Sequence, residues 1–181
     1  MDRHFIFRNY WWIALLLGGL AILLAILFGG SDRMGLVASA IAGTLGFCYF
    51  VHQQKLAETV LFHQLFTAFN ARYDVLNGKL ASLIENEALG GVEPLLPLQR
   101  GFVVDYFNLC AEEYHYFKLG YIPRNVWRSW CRGMAWHLRQ PCIKAVWFVE
   151  VKTDSFYGLT YEAILKGAEF SDGPTGPRAK T

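Results

Sequence analysis

WWIALLLGGLAILLAILF, from Trp11 to Phe28, is an unbroken apolar run of 18 residues. As a helix it would be roughly 27 Å long, close to the hydrocarbon thickness of a bilayer. Tyr10, Trp11 and Trp12 stand at its start, where an aromatic belt would lie. A second run, GLVASAIAGTLGFCYFV from Gly35 to Val51, follows after the turn GGSDR. Neither Asn9–Ser31 nor Met34–Gln54 contains Asp, Glu, Lys or Arg. So short a link makes two helices antiparallel neighbours, and the chain is expected to open with a transmembrane hairpin, residues 1–51, with helices over 10–28 and 35–51.

A cleaved signal peptide competes with this reading, because Arg3 and Arg8 precede the first run and Ala38-Ser39-Ala40 has a cleavage-like pattern. The first apolar stretch is too long for that, and a second follows at once. Arg3 and Arg8 flank the first helix, Lys55 and Arg72 follow the second, and the turn has only Arg33 beside Asp32. The positive-inside rule therefore predicts a multi-pass protein of a bacterial inner membrane with both termini cytoplasmic. Neither run carries an ionisable residue of the kind a proton- or ion-coupled transporter places in the membrane. Gly35, Ser39 and Gly43 recur every four residues, as do Ala38, Ala42 and Gly46. Small residues at this spacing let helices approach closely in lipid, either within the hairpin or between protomers of a homo-oligomer.

Charged residues make up only 18% of the chain, against about 25% in soluble domains. The net charge of +2 says little about partners. Cys48, Cys110, Cys131 and Cys142 show no C-x-x-C or zinc spacing and read as free thiols of a reducing compartment.

Beyond the hairpin the pattern predicts an all-α cytosolic bundle over residues 52–166 and a disordered tail over 167–181. The second membrane helix is expected to continue without a break, since no Gly or Pro stands between Gly46 and Gly78. Phe62, Phe66, Phe69, Tyr73, Leu76, Leu80 and Leu83 follow heptad spacing. This stripe packs either on the domain's own later helices or on other protomers as a central stalk, in which case Phe62, Phe66 and Phe69 join the oligomer interface. LGGVEPLLP (Leu89–Pro97) reads as a loop. Helices are then expected over Leu98–Leu119 with Gly120 as stop, from Pro123 to before Pro141, from Pro141 to Lys152, and over Phe156–Lys166 with caps from Thr153-Asp154-Ser155.

Tyr114–Val149 contains no Asp or Glu, but holds Lys118, Arg124, Arg128, Arg132, Arg139 and Lys144. On an ideal helix the four arginines fall within an arc of roughly 80°. Trp127, Cys131, Met134 and Leu138 form the adjacent apolar face, and Trp136 lies on the far side of the arginines. Arg124, Arg128, Arg132, Arg139 and Lys118, with Trp136 for stacking, suit a small anionic nucleotide. They equally suit anionic lipid headgroups, or a face paired with Glu85, Glu87, Glu112 or Glu113. Duplex nucleic acid is not an expected partner.

Asn70, Asp74 and Asn77 share one helix face, and Asp105, Asn108 and Glu112 share another. These stripes could build a metal site or a hydrolytic pair, or a hydrogen-bonded network with Arg72 and Tyr106. The five histidines are scattered. No phosphate-binding glycine loop, H-E-x-x-H or G-x-S-x-G occurs, so neither an enzyme nor a cofactor nor a metal is expected.

LFTAFNARYDVLNGKL (Leu65–Leu80), VVDYFNLCAEEYHYFKLGYIPRNVWRSW (Val103–Trp130) and KTDSFYGL (Lys152–Leu159) resemble a recurrent block of small bacterial membrane and cytosolic proteins. With the two-helix anchor in front, the chain resembles the two-transmembrane effectors of anti-phage defence: those of retrons, abortive-infection loci and cyclic-oligoadenylate-gated type III CRISPR systems. The resemblance implies an oligomeric sensor-effector. Its cytosolic domain would bind a trigger, a cyclic oligonucleotide among the candidates, and its membrane helices would then perturb the bilayer. A membrane-anchored scaffold that recruits a cytosolic protein is the alternative. No family active-site residue carries over.

Overall fold

The computed structural model describes residues 3–88 and 95–169, all of them helix, turn or loop without a strand. Contacts divide the chain into two compact units, Met1–Leu61 and Phe62–Thr181.

In the first unit α1 spans Arg3–Phe28 and α2 starts at Arg33, joined by a 3-10 turn over Gly30–Asp32. The turn depends on two glycines. Gly30 has a left-handed φ of 54°, and a Cβ on Gly29 would collide with the Ala25 carbonyl. Tyr10, Ala14 and Ala25 of α1 are buried, and Gly18 lies against the Thr44 side chain. From α2 the seam takes Val37, Ala40, Thr44, Cys48 and Val51, and the Thr44 hydroxyl is satisfied by the Ala40 carbonyl at 2.8 Å. Lys55 Nζ lies 5.6 Å from the Tyr10 ring centroid at the open end. Both helices are long and apolar enough to cross a membrane. Only 17% of the α1 window and 6% of the α2 window are buried, so most of this apolar surface is left uncovered within the chain.

The small residues of α2 take no part in this seam. Gly35, Ser39 and Gly43 are exposed, as are Ala38, Ala42 and Gly46, and a Cβ on Gly43 or Gly46 would meet nothing. At 3.6 residues per turn their face points about 170° away from the Val37–Val51 seam. Of the two packing arrangements open to this stripe, the hairpin itself does not use it.

α2 is one helix of 56 residues, Arg33–Ala88, and from Phe62 onward, about half its length, it belongs to the second unit. That unit also holds α3 (Pro97–Lys118), α4 (Arg124–His137), α5 (Pro141–Glu150) and α6 (Tyr161–Glu169), of which α6 packs on α4. Pro97 and Pro141 sit in the first turns of α3 and α5, where a missing N–H costs nothing. Gly120, at φ 81°, closes α3 in a Schellman motif: its N–H donates to Phe117 O and that of Tyr121 to Tyr116 O. The Glu87 carboxylate, reaching from α2, accepts the Cys142 N–H at 3.0 Å and caps α5 from outside.

The core joins Leu76, Leu80 and Leu83 to Val103, Phe107, Trp127, Cys131, Ile143, Trp147 and Ile164. Phe69 belongs to it, edge-on to Trp130 and tilted on Tyr116, while Phe66 stacks on Trp130 and Phe62 packs at the margin. The heptad stripe is thus consumed within the protomer from Phe69 onward, and no stalk interface remains for Phe69.

Two boundary expectations are corrected. The last helix is Tyr161–Glu169, not Phe156–Lys166, and Gly167 lies inside it rather than in a tail. Asp154, Tyr157 and Gly158 have φ of 53°, 52° and 75°, which no right-handed helix contains. Phe156 is instead buried, stacked on Trp147 with centroids 5.4 Å apart, and Thr160 Oγ1 accepts the Ala163 N–H as the true cap. Residues 170–181 and most of the Leu89–Pro97 loop lie outside the described residues.

Candidate functional site

α4 carries the basic stripe because its opposite face is needed for the core. Trp127, Cys131 and Met134 point inward, with Trp127 stacked on Phe117 at 4.9 Å. Arg124 and Arg132 are exposed, Arg128 is half-buried, and Trp136 is 50% exposed beside them. Arg132 Nε donates to the Ala168 carbonyl at 3.4 Å, near the negative end of the α6 dipole. α4 ends at His137 with Leu138 as its cap residue, so Arg139 is exposed just past the helix rather than on its ladder. Lys118 stands apart from the stripe. Its ammonium donates to the Tyr157 carbonyl at 2.6 Å and lies 4.7 Å from the Tyr114 ring centroid, so it holds the left-handed loop in place. Of the four acids proposed as partners, Glu87 caps α5, Glu112 pairs with Arg72, Glu113 is buried and Glu85 is exposed on α2.

A cleft of about 580 Å³ opens between α2, α3 and the 154–158 loop. It gathers Arg72, Asp105, Asn108, Glu112, Ser155 and Tyr157. Arg72 and Glu112 form a bidentate pair at 2.5 and 3.1 Å, and the carboxylate raises the guanidinium pKa further. Both side chains are substantially solvated, so the pair is worth about 0–1 kcal/mol. Asp105, Asn108 and Glu112 thus line one cleft with Arg72, whereas Tyr106, expected in the same network, lines a separate cavity with its hydroxyl 3.3 Å from His137 Nδ1. Asn70 faces a different space, Asn77 accepts from the Tyr73 hydroxyl at 3.1 Å, and Asp74 lines neither cavity. Among the described residues no group of three or more His, Cys, Asp or Glu stands at metal-binding distance.

A second cavity of about 200 Å³ lies between α2, α3 and α4, lined by Asn70, Tyr73, Tyr106, Glu113, Ser129, Trp130, Gly133 and Met134. Glu113 is 6% exposed, and burial pushes its carboxyl up to about 8, opposed in part by Arg72. No hydrogen bond to this carboxyl is found among the described residues. His137 is equally buried, and desolvation lowers its pKa. Its Nδ1 is 3.0 Å from the Gly133 carbonyl and 3.3 Å from the Tyr106 hydroxyl. A carbonyl only accepts, so Nδ1 carries the proton. Burial likewise raises the thiols of Cys110, Cys131 (to about 12) and Cys142 (to about 11), which removes them as nucleophiles.

Glu113 and His137 lie outside the residues that the charge and aromatic patterns of the sequence single out as a site. A signal for Glu113 exists: Val103, Tyr106, Cys110 and Glu113 follow the 3-4-3 spacing of a buried helix face, with an acid in the last position. None of Arg124, Arg128, Arg132, Arg139, Trp136 or Lys118 lines either cavity. No protein-family model, no curated protein and no solved structure matches this chain.

Proposed function

We propose that the chain is an oligomeric membrane sensor-effector. In this reading α1 and the first part of α2 cross a bacterial inner membrane as a hairpin with both termini cytoplasmic. Copies associate through the Gly35–Ser39–Gly43 face, and the helical domain takes an anionic signal on the α4 face. The observation that supports it most is α2 itself. One uninterrupted helix supplies both the apolar stretch of the first unit and the Leu76–Leu80–Leu83 core wall of the second. A signal that favours one packing of that wall biases the membrane segment of the same helix, provided it binds that packing better than the other. Small residues facing lipid contribute nothing to solubility in the bilayer, so a face of six of them on α2 fits a helix–helix contact. Anti-phage defence is the setting that the sequence resemblance implies for such a protein.

The experiment is dye release from liposomes that contain the full chain, with linear and cyclic oligoadenylates added outside. Release triggered by one oligonucleotide and weakened about tenfold or more in affinity by Arg124→Ala supports the reading. Tight vesicles under every oligonucleotide, or release indifferent to Arg124→Ala and Arg128→Ala, overturn the signal assignment.

One observation favours a second reading, a membrane-anchored scaffold. The stripe lines neither of the two cavities described above, and Arg124 to Arg139 extends over roughly 20 Å, the footprint of a surface more than of one nucleotide. A stoichiometric protein partner recovered with the chain, while vesicles stay tight, would support it.

A further inference from the structure

The cavity between α2, α3 and α4 has a chemistry that the basic stripe does not share. Its walls are aromatic, with Tyr73, Tyr106 and Trp130, and its one acid is Glu113. The Tyr73 and Tyr106 rings are 6.2 Å apart at 51°. Glu113 is more than nine-tenths buried, lines the cavity, and has no hydrogen-bond donor among the described residues. A carboxylate whose only open side is this small cavity is poorly solvated, and an apolar or anionic guest would leave it so. A cation with carbon substituents answers both features at once, since it neutralises the carboxylate and rests on the negative faces of the rings. The volume of about 200 Å³ corresponds to roughly six water-sized groups.

We propose that this cavity is a binding site for a small organic cation, an alkylammonium held against the Glu113 carboxylate with its carbons against Tyr73, Tyr106 and Trp130. Gly133 marks its mouth: the residue is exposed, lines the cavity, and a Cβ there would meet open space.

Proton and ligand compete for the same carboxylate. The charged groups around Glu113 are Arg72 from α2 and Glu112 from α3, which act in opposite directions. Tyr73, Tyr106, Cys110 and Cys131 face it as neutral groups, their own protons held by burial and by Glu113 itself. His137, behind Tyr106, is kept neutral by burial. Acidification below the Glu113 range therefore protonates the site before it changes any other group facing it.

The test is titration of the full chain in detergent micelles with tetramethylammonium, choline and ethylammonium chlorides, by calorimetry and tryptophan fluorescence, against sodium chloride. Saturable binding of at least one of them at pH 8.5 is expected. Its affinity should fall about tenfold per pH unit between pH 8 and pH 6. Glu113→Gln, of nearly equal shape, should remove it. Gly133→Leu leaves Glu113 in place and replaces a helix-weakening glycine, so it keeps the fold while narrowing the mouth, and it should weaken binding as well. No saturable binding of any of the three at pH 8.5, or binding equally tight in Glu113→Gln, overturns the proposal.

Discussion

Gly167 of α6 lies so close to Cys131 of α4 that a Cβ on the glycine would run into the thiol sulfur, with the Trp127 indole nitrogen 3.1 Å away. This crossing holds α6 on the back of the basic helix, and Arg132 reaches Ala168 one residue further along. Gly167→Ala should therefore destabilise the helical domain by about 1–3 kcal/mol, the usual cost of overpacking a closed contact. In a Cys131→Ala background the same substitution should cost less, because the atom it strikes first is gone. Thermal unfolding of the four proteins of this cycle in detergent measures the difference. Equal costs in both backgrounds would show that the crossing is not the source.

Glu113 makes stability depend on pH in a direction opposite to a salt-bridged acid. Its carboxyl is raised from 4.5 to about 8 in the fold, so between those values the unfolded chain has released a proton that the folded chain still holds. Stability contributed at low pH is lost as pH rises through this window, by an amount on the order of 5 kcal/mol at most. Glu113→Gln keeps the neutral form at every pH. Its melting temperature should match the wild type near pH 4.5 and exceed it progressively toward pH 8. A difference that stays constant across this range would place the carboxyl in water.

How legible these features were depends on which residue type carries each. Pro97, Gly120 and Pro141 announce the ends of α3 and α5 because proline and glycine restrict or free the backbone by their own chemistry. Residues 156–160 pattern as the first turn of a helix, and the sequence does not betray the loop because Asp154 and Tyr157 adopt left-handed φ without being glycine. What holds them there is tertiary: Phe156 in the Trp147 pocket and the Lys118 ammonium on the Tyr157 carbonyl. The arginine stripe was aligned correctly for Arg124, Arg128 and Arg132, but helix periodicity alone gives no sign that α4 stops before Arg139. The bilateral character of α2 needed the seam to be seen. Both its faces are rich in small or β-branched residues, and the lower exposure of Val37, Ala40, Cys48 and Val51, with the Gly18–Thr44 contact, tells which one meets α1.

Lys118 and Arg124 should separate structure from binding. Lys118→Met keeps most of the stem over Tyr114 but loses the donor to Tyr157, so the domain should lose about 1–2 kcal/mol while affinity for an anionic ligand stays within twofold. Arg124→Ala removes an exposed side chain, and its melting point should stay within about 0.5 kcal/mol of wild type. Its affinity for the anion should fall instead, and the fall should shrink as salt rises from 50 to about 500 mM. A melt of each variant beside a binding curve at two salt concentrations reads both effects. Reversed assignments would make Lys118 the ligand contact and Arg124 a bystander.

The two faces of α2 predict two different failures from glycine substitutions of one kind. Gly18→Leu on α1 drives a side chain into Thr44 and should separate the hairpin, lowering the yield of folded chain in detergent. Gly43→Leu puts the same side chain where nothing stands within 4 Å, so the single chain should keep its helicity and melting point. Between copies, however, a bulky residue on the Gly35–Ser39–Gly43 face blocks the close approach that small residues permit. Cross-linking in native membranes should then show the wild type as a ladder of oligomers and Gly43→Leu as a monomer, with Leu36→Ile, on the flank of that face, unchanged. A Gly43→Leu ladder as strong as the wild type's would mean that this face meets lipid, and any association would have to be sought in residues outside it.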